Sequence, residues 1–164
     1  METVRFRHAH FSARFPVGYR YAPSHFWLLP ADWDDASPPA DPTCSGRWRV
    51  GFTKFATRML GELVEMHLSV ATGETVQAGQ LLGSVEGFKA VSDLFCVAEG
   101  TFLGTNPALT AEACLTHSAP YGEGWLYEIE GLPQAETLDV HEYIALLQET
   151  IDRLQASRYD GGPA

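Results

Sequence analysis

The chain has 164 residues, a hydrophobic fraction of 45% and a formal net charge of −10 at pH 7. The length predicts one domain with its own core, and the excess of 21 acidic over 11 basic side chains argues against nucleic acid as a partner. No apolar run has transmembrane length and the N-terminus lacks a hydrophobic signal core, so we expect a cytoplasmic protein with no membrane association. The three cysteines form no CxxC pair, so we expect free thiols and no metal site.

The chain divides into three predicted parts. Residues 1–20 form an N-terminal extension, residues 21–135 form the main domain, and residues 136–164 form a C-terminal helix with a disordered tail that reads YDGGPA. Within the main domain, the stretch PADWDDASPPADP at residues 30–42 contains four prolines. These prolines predict a solvated loop, because proline is excluded from central strands and from helix interiors.

Apolar and polar residues alternate along several short segments, which predicts a mainly β protein. Strands are expected at residues 4–7, 64–68, 81–85, 94–98 and 126–129. Turn signals lie at Thr72-Gly73, Ala78-Gly79, Glu99-Gly100 and Asn106-Pro107. This spacing of turns is typical of a small sandwich or barrel.

Two helices interrupt the β pattern. Thr53 can cap a short helix near residues 53–60, in which Phe55 and Met59 share a face and which Gly61 ends. A second helix near the C-terminus, with Asp139 as its cap, has apolar residues at helical spacing, namely Tyr143, Leu147, Ile151 and Leu154.

The octet EGFKAVSD sets Lys89 between two strand-like segments. A lysine on a tight turn is held out into solvent on a rigid support, which suits an amine that is modified and then visits several proteins. Lysines are mostly exposed in any case, so the position alone proves little. Strand–turn–strand stretches lead up to Lys89 and away from it, however, and this is the layout of a lipoyl or biotinyl domain.

Several sequence blocks, in order, carry a resemblance to a known family. They are YAPSH followed by tryptophan, VGFTKFATRMLGELVEMHL, ETVQAG, KAVSD and SAPYGEGWLYEIE. With these blocks, the chain resembles the H-protein of the glycine cleavage system, a lipoyl carrier whose fold is a barrel-sandwich hybrid of two antiparallel sheets. By this resemblance Lys89 aligns with the lipoylated lysine, with Glu86 and Asp93 framing it and Gly87 and Phe88 beside it.

The resemblance implies a non-catalytic carrier with lipoate attached covalently as a lipoyl-lysine arm. The implied partners are lipoate ligase or lipoyl-transfer enzymes, which attach the group, and the P-, T- and L-proteins of glycine cleavage. Members of the family are generally monomers, and we expect the same here.

The chain departs from the family pattern at Phe26, where H-proteins have the glutamate of HEW. In the family this glutamate helps hold the positive amine of the loaded arm, and Phe26 cannot pair with an ammonium group. Ser24 and Asp93, the other family contacts to the amine, are retained. Phe26 therefore either weakens one side of an amine pocket or packs the rim of the barrel as a variation of this lineage.

Two further departures concern the turn and the cysteines. EGFK replaces the usual ESVK, so Gly87 is expected to loosen the turn and Phe88 to put an aromatic ring beside the arm. Cys96 follows on the next strand, with Cys114 further on. Both are interpreted either as small buried hydrophobic residues or, for Cys96, as a thiol in the arm-docking cleft with Ser24 and Phe26, able to exchange with the dithiolane.

Three hypotheses follow. The first is a lipoyl carrier of a sulfur-bound intermediate, because the pattern resembles the lipoate-binding proteins of bacterial sulfur oxidation, which work with a heterodisulfide-reductase-like complex. The second is an H-protein that carries the aminomethyl group from the P-protein to the T-protein. The third is a thiol oxidoreductase that uses Cys96 or Cys114.

Overall fold

Antiparallel strands dominate the computed structural model, which describes residues 1–160. The strands are β1 (Thr3–His8), β2 (Phe11–Pro16), β3 (Arg20–Tyr21), β4 (Phe26–Pro30), β5 (Gly46–Phe52), β6 (Leu63–Leu68), β7 (Thr75–Val76), β8 (Leu81–Gly87), β9 (Val91–Phe95), β10 (Ala98–Thr105) and β11 (Tyr127–Pro133). The helices are α1 (Lys54–Leu60), α2 (Ala108–Ala111), α3 (Leu115–Ser118) and α4 (Val140–Asp160).

Two sheets and an N-terminal hairpin make up the β structure. One sheet has six strands in the order β3-β4-β5-β11-β10-β7, and the other has three in the order β6-β8-β9. Every pairing within them is antiparallel. The predicted fold class, mainly β with antiparallel sheets, a short helix and a C-terminal helix, is therefore confirmed.

The strands around residue 97 differ from the prediction. Residues 94–98 were expected to form one strand, but β9 ends at Phe95 and β10 begins at Ala98. The expected turn at Glu99-Gly100 lies inside β10, where Gly100 has φ +145 and a Cβ atom would come within 2.0 Å of the Glu130 carbonyl oxygen. Glycine at this position lets two strands approach each other closely. In the sequence, such a glycine looks the same as one that marks a turn.

Helix α1 begins and ends where the sequence indicates. The Thr53 hydroxyl accepts a hydrogen bond from the Ala56 amide at 3.3 Å, which caps the first turn. At the other end Gly61, with φ 78, donates its amide to the Thr57 carbonyl at 2.9 Å. The helix leaves Met59 half exposed and Phe55 buried.

Helix α4 packs one face against β1 of the N-terminal hairpin and β3 of the six-stranded sheet. Asp139 Oδ1 accepts from the Glu142 amide at 2.8 Å, and Glu142 Oε1 accepts from the Asp139 amide at 3.0 Å, which is a reciprocal capping box. Tyr143 and Leu147 are fully buried, whereas Leu154 on the last turns is 43% exposed. No helix among residues 1–160 is long and apolar enough to span a membrane.

The strand expected at residues 4–7 lies in β1, which pairs with β2 to form an N-terminal hairpin. Its inward side chains Phe6, Phe11 and Phe15 are buried in the same core as the barrel. The ring of Phe11 meets that of Phe55 edge-on at 5.5 Å, and His8 Nε2 lies 2.6 Å from Asp152 Oδ1 on α4.

The division at residues 20 and 135 remains a prediction. Helix α4 extends to Asp160, so it includes the first two residues of the tail that was predicted to be disordered. The remaining four residues of that tail, 161–164, lie outside the described residues.

Candidate functional site: a clamped lysine beside an apolar cleft

Lys89 stands at the tip of the hairpin formed by β8 and β9, here called the Lys89 hairpin. Backbone hydrogen bonds tie the tip to the last residue of α1 and to the turn after it. The Lys89 amide donates to the Leu60 carbonyl and the Phe88 amide donates to the Glu62 carbonyl, each at 3.0 Å. Lys89 Nζ donates to the Arg58 carbonyl at 3.2 Å. The amine is thus exposed, but its backbone is held on two sides.

Two glycines allow this contact between the hairpin and α1. A Cβ atom on Gly87 would lie 2.2 Å from the Leu60 carbonyl oxygen, so only glycine fits there. A Cβ atom on Gly61 would lie 3.1 Å from Lys89 Cγ. The expectation that Gly87 loosens the turn is therefore wrong, because its missing side chain lets the hairpin pack tightly on the helix.

The residues around Lys89 present apolar surface to solvent. Phe88 is 77% exposed and Val91 is 71% exposed, and Glu86 is exposed at the end of β8. Exposed apolar side chains that are grouped together are typical of a surface that meets other proteins.

A cleft of about 580 Å³ opens beside the hairpin. It is lined by the aromatic side chains Phe26, Phe52, Phe55 and Phe95, and by the polar residues Ser24 and Asp93 among others. The structure therefore brings together Ser24, Phe26 and Asp93, which the sequence placed in one cleft. The three further aromatic residues were missed, although Phe52 and Phe55 flank the Thr53 cap closely enough to have suggested a shared surface.

Phe26 forms part of the cleft wall and of the core at once. It pairs with Phe52 across β4 and β5, with the two rings stacked at 5.6 Å between centroids. Only 7% of Phe26 is exposed. This wall offers an apolar face and no counter-charge for a cation.

His25 also lines the cleft, and sequence reasoning missed it. Its backbone is in the left-handed region, with φ 74. Nδ1 lies 2.9 Å from the Tyr143 hydroxyl, which in turn lies 2.8 Å from the Thr53 hydroxyl. Burial lowers the pKa of His25 to about 4, so the ring is neutral at pH 7. Its partner Tyr143 is 118 positions away in the chain, which no local spacing reveals.

Cys96 does not lie in the cleft, so its predicted place there is wrong. The residue is 1% exposed, its Sγ donates to the Ala98 carbonyl at 3.0 Å, and burial raises the pKa of the thiol. Adjacent residues of an extended chain point to opposite sides, so it is Phe95 that faces the cleft. Cys114 is exposed immediately before α3 and does not line the cleft either. The geometry thus gives no support to a thiol enzyme.

A lipoyl group fits the residues present. Lys89 offers an exposed amine with no carboxylate within 4.0 Å among the described side chains, so it is free to form an amide. The adjoining cleft is lined largely by apolar side chains, which suits an aliphatic arm that ends in a dithiolane.

Comparisons with known proteins agree on one family. The family model described as glycine cleavage H-protein matches residues 43–150. The glycine cleavage system H protein of Corynebacterium aurimucosum is 34% identical over 131 residues, covering 80% of this chain and 94% of the relative. That of Micrococcus luteus is 37% identical over 134 residues, covering 77% and 95% respectively. The crystal structure of a glycine cleavage system H protein from Mycobacterium marinum is similar, with a TM-score of 0.67 and 37% identity, and the match covers 80% of this chain and 97% of that one.

Proposed function

The chain belongs to the glycine cleavage H-protein family, whose members are lipoyl carriers, and we propose that its lipoyl group is attached to Lys89. The observation that carries the proposal is the exposed Lys89 amine on a hairpin clamped to α1, beside an apolar cleft. The carrier itself needs no catalytic side chain. Lipoate ligase or lipoyl-transfer enzymes would attach the group.

Amide formation removes the charge of Lys89 and lengthens its side chain. The bound group supplies a dithiolane that exchanges between disulfide and thiol forms. The chain contributes position and shelter, because the clamped hairpin fixes the origin of the arm and the cleft covers part of its length. A tethered arm meets each partner's active site at a high effective concentration.

We propose that the cargo is the aminomethyl group of glycine cleavage, moved from the P-protein to the T-protein, with the L-protein as the third partner. The relatives are named as glycine cleavage system H proteins, which supports this cargo over the sulfur cargo. The Asp93 carboxylate and the Ser24 hydroxyl belong to exposed residues that line the cleft, and both can accept hydrogen bonds from a cationic amine. The lipoyl arm would thus find a partial counter-charge for its load.

A second candidate is favoured by the aromatic wall of the cleft. Phe26 stacks on Phe52 where the family pattern has a carboxylate, and an amine set against an unpaired apolar wall is disfavoured by roughly 1–3 kcal/mol. A neutral, sulfur-bound load pays no such penalty. This supports a carrier for sulfur oxidation with a heterodisulfide-reductase-like complex, although none of the relatives described above is named for that role.

The test is reconstitution with purified P-, T- and L-proteins, following CO₂ release from labelled glycine. We expect the lipoylated chain to support turnover and Lys89→Arg to abolish it. The chain has one other lysine, Lys54, at the start of α1, so Lys54→Arg is the matched control and should retain turnover. If the lipoylated chain supports no turnover, whereas a standard H-protein does in the same mixture, the glycine cleavage cargo is excluded and the sulfur cargo becomes the candidate to test.

A further inference from the structure

A second groove lies between the N-terminal hairpin, α1 and the end of α4. It has a volume of about 520 Å³ and is called here the hairpin–helix groove. Its lining includes the apolar side chains Phe11, Phe55, Met59 and Leu154, with His10 and Arg58 at its edge. Met59 is 50% exposed and Leu154 is 43% exposed. Both therefore present apolar surface that nothing among the described residues covers.

The groove is continuous with the cleft beside the Lys89 hairpin. Phe55 and Met59, one turn apart on the same face of α1, line both. Lys89 Nζ is hydrogen-bonded to the carbonyl of Arg58, whose side chain lines the groove. The amine therefore lies beside the C-terminal part of α1, which lines both depressions.

The two depressions differ in charge. The cleft contains the Asp93 carboxylate, whereas the groove contains the Arg58 guanidinium, which lies 5.9 Å over the Phe11 ring and makes no ion pair with a described carboxylate. An ammonium load is repelled by Arg58. An uncharged dithiolane, or a thiolate formed on its reduction, is tolerated or attracted there.

We propose that the hairpin–helix groove is a second resting site for the lipoyl arm, occupied when the end of the arm is uncharged or anionic. This inference rests on the proposed attachment at Lys89. Eight or so bonds beyond Nζ give the arm a reach of about 10 Å, which exceeds the rise of about 5.4 Å in one turn of α1. The occupant is thus an aliphatic amide ending in a sulfur heterocycle, already tethered at the edge of the groove.

The direct test is methyl NMR on the chain before and after lipoylation, with intact mass confirming one lipoyl group. Ile151 and Leu154 line the groove but not the cleft, whereas Val85 and Val91 line the cleft but not the groove. We expect lipoylation to move the methyl signals of Ile151 and Leu154. Met66 on β6 lines neither and should stay unmoved.

A matched pair of variants adds a kinetic readout. Leu154→Glu places a carboxylate in the groove, and Ala156→Glu adds the same charge two residues further along α4, at an exposed position outside the groove lining. Resting in the groove shields the dithiolane, so Leu154→Glu should speed its reduction by a soluble phosphine about two-fold, because apolar contact is lost. It should also return the Ile151 methyl signal toward its position in the unlipoylated chain. Ala156→Glu should leave both measurements unchanged.

The outcomes separate this inference from the proposed function. If the mass shows a lipoyl group and the Ile151 signal does not move, the groove is not a resting site, and the carrier function stands. If no lipoyl group is attached by active lipoyl-transfer enzymes, both fail. A shift that grows with protein concentration assigns the groove to a second copy of the chain. A shift produced in the unlipoylated protein by truncation after Ser157 assigns it to the chain's own C-terminal end. Either result overturns the proposal.

Discussion

At the cleft wall, Phe26 performs two tasks that a single substitution can separate. Its ring stacks on Phe52 and is almost completely buried, so it supports the six-stranded sheet. The same ring also faces the space where the loaded end of the arm would rest. A substitution at Phe26 therefore tests whether the cleft favours an amine or a neutral load, with Ser24 and Asp93 left in place.

We predict that Phe26→Glu raises the fraction of chain loaded with the aminomethyl group at equilibrium with the P-protein. The new carboxylate would form an ion pair with the ammonium, which would stabilise the loaded arm in the cleft by about 1 kcal/mol or more. It should also lower the free energy of unfolding by roughly 2–4 kcal/mol, because a stacked aromatic ring is lost. Phe26→Gln is the control, because glutamine has the shape of glutamate but no charge. Equal loading of the two variants would show that charge at this position does not matter.

His25, which lines the cleft, makes the stability of the fold depend on pH. The neutral ring is held between Phe55 and the Tyr143 hydroxyl, and burial depresses its pKa from the ordinary value of 6.5 to about 4. Between these two values the unfolded chain binds a proton that the folded chain does not. Stability contributed by neutral His25 is therefore complete above pH 6.5 and is lost as the pH falls toward 4.

We predict that the free energy of unfolding decreases from pH 6.5 to pH 4 by an amount on the order of 3 kcal/mol from His25 alone. His25→Asn should flatten this part of the profile, since asparagine tolerates the left-handed backbone and does not titrate. Urea unfolding at several pH values measures how the free energy of unfolding changes with pH in the unsubstituted chain and in His25→Asn. Parallel slopes for the two proteins would rule out His25 as the titrating group.

Among the elements, α1 is the support on which the lysine is mounted. Its carbonyl end receives hydrogen bonds from the Lys89 hairpin, its Thr53 cap is tied to α4 through Tyr143, and its Phe55 ring packs on the N-terminal hairpin. Carriers need such rigidity, because an arm on a mobile loop would begin from no fixed origin. The contact depends on Gly87, whose missing side chain leaves room for the Leu60 carbonyl.

We predict that Gly87→Ala destabilises the protein by about 1–3 kcal/mol, because its Cβ atom would meet a backbone carbonyl that has to move. It should also slow lipoylation of Lys89, since the tip of the hairpin leaves its clamp. Gly46→Ala is the control, because no atom lies within 4 Å of the added Cβ. Thermal unfolding and the initial rate of lipoyl transfer check the two effects. A Gly87→Ala protein as stable and as readily lipoylated as Gly46→Ala would show that close packing at Gly87 does not hold the Lys89 hairpin in place.

Over the whole molecule, the net charge of −10 creates a negative field around the protein. Opposite charges on a partner would steer the carrier to it, and salt screens that attraction. The apolar side chains Phe88 and Val91 beside Lys89 then provide contact that salt does not weaken.

We predict that association with the P-protein slows about ten-fold or more between low and near-molar salt, while dissociation changes less. Stopped-flow measurements with lipoylated and unlipoylated chain should show the same salt dependence, because the field comes from the whole surface rather than from the arm. An association rate that is independent of salt would show that steering by net charge plays no part.

Local sequence patterns predicted the parts of the molecule that local chemistry determines. Thr53, Gly61 and Asp139 mark helix ends by their own side chains or lack of one, and each cap appears in the structure. Gly87 and Gly100 were misinterpreted because a glycine needed for close packing looks the same in sequence as one needed for a turn.

The parts of the site that depend on contacts between distant segments could not be predicted from the sequence. The resemblance grouped Ser24, Phe26 and Asp93, and all three line one cleft; their roles remain a prediction. It could not orient Cys96, whose direction depends on the junction between β9 and β10, nor reveal His25, whose partners come from distant segments.

The most direct test is intact-mass and peptide-mass analysis of the chain purified from its native host. With two lysines in the sequence, a lipoyl group has two possible positions. We predict one lipoyl group, on Lys89, and none on Lys54. Unmodified Lys89 in cells that lipoylate their other carriers, or a lipoyl group on Lys54, would contradict it.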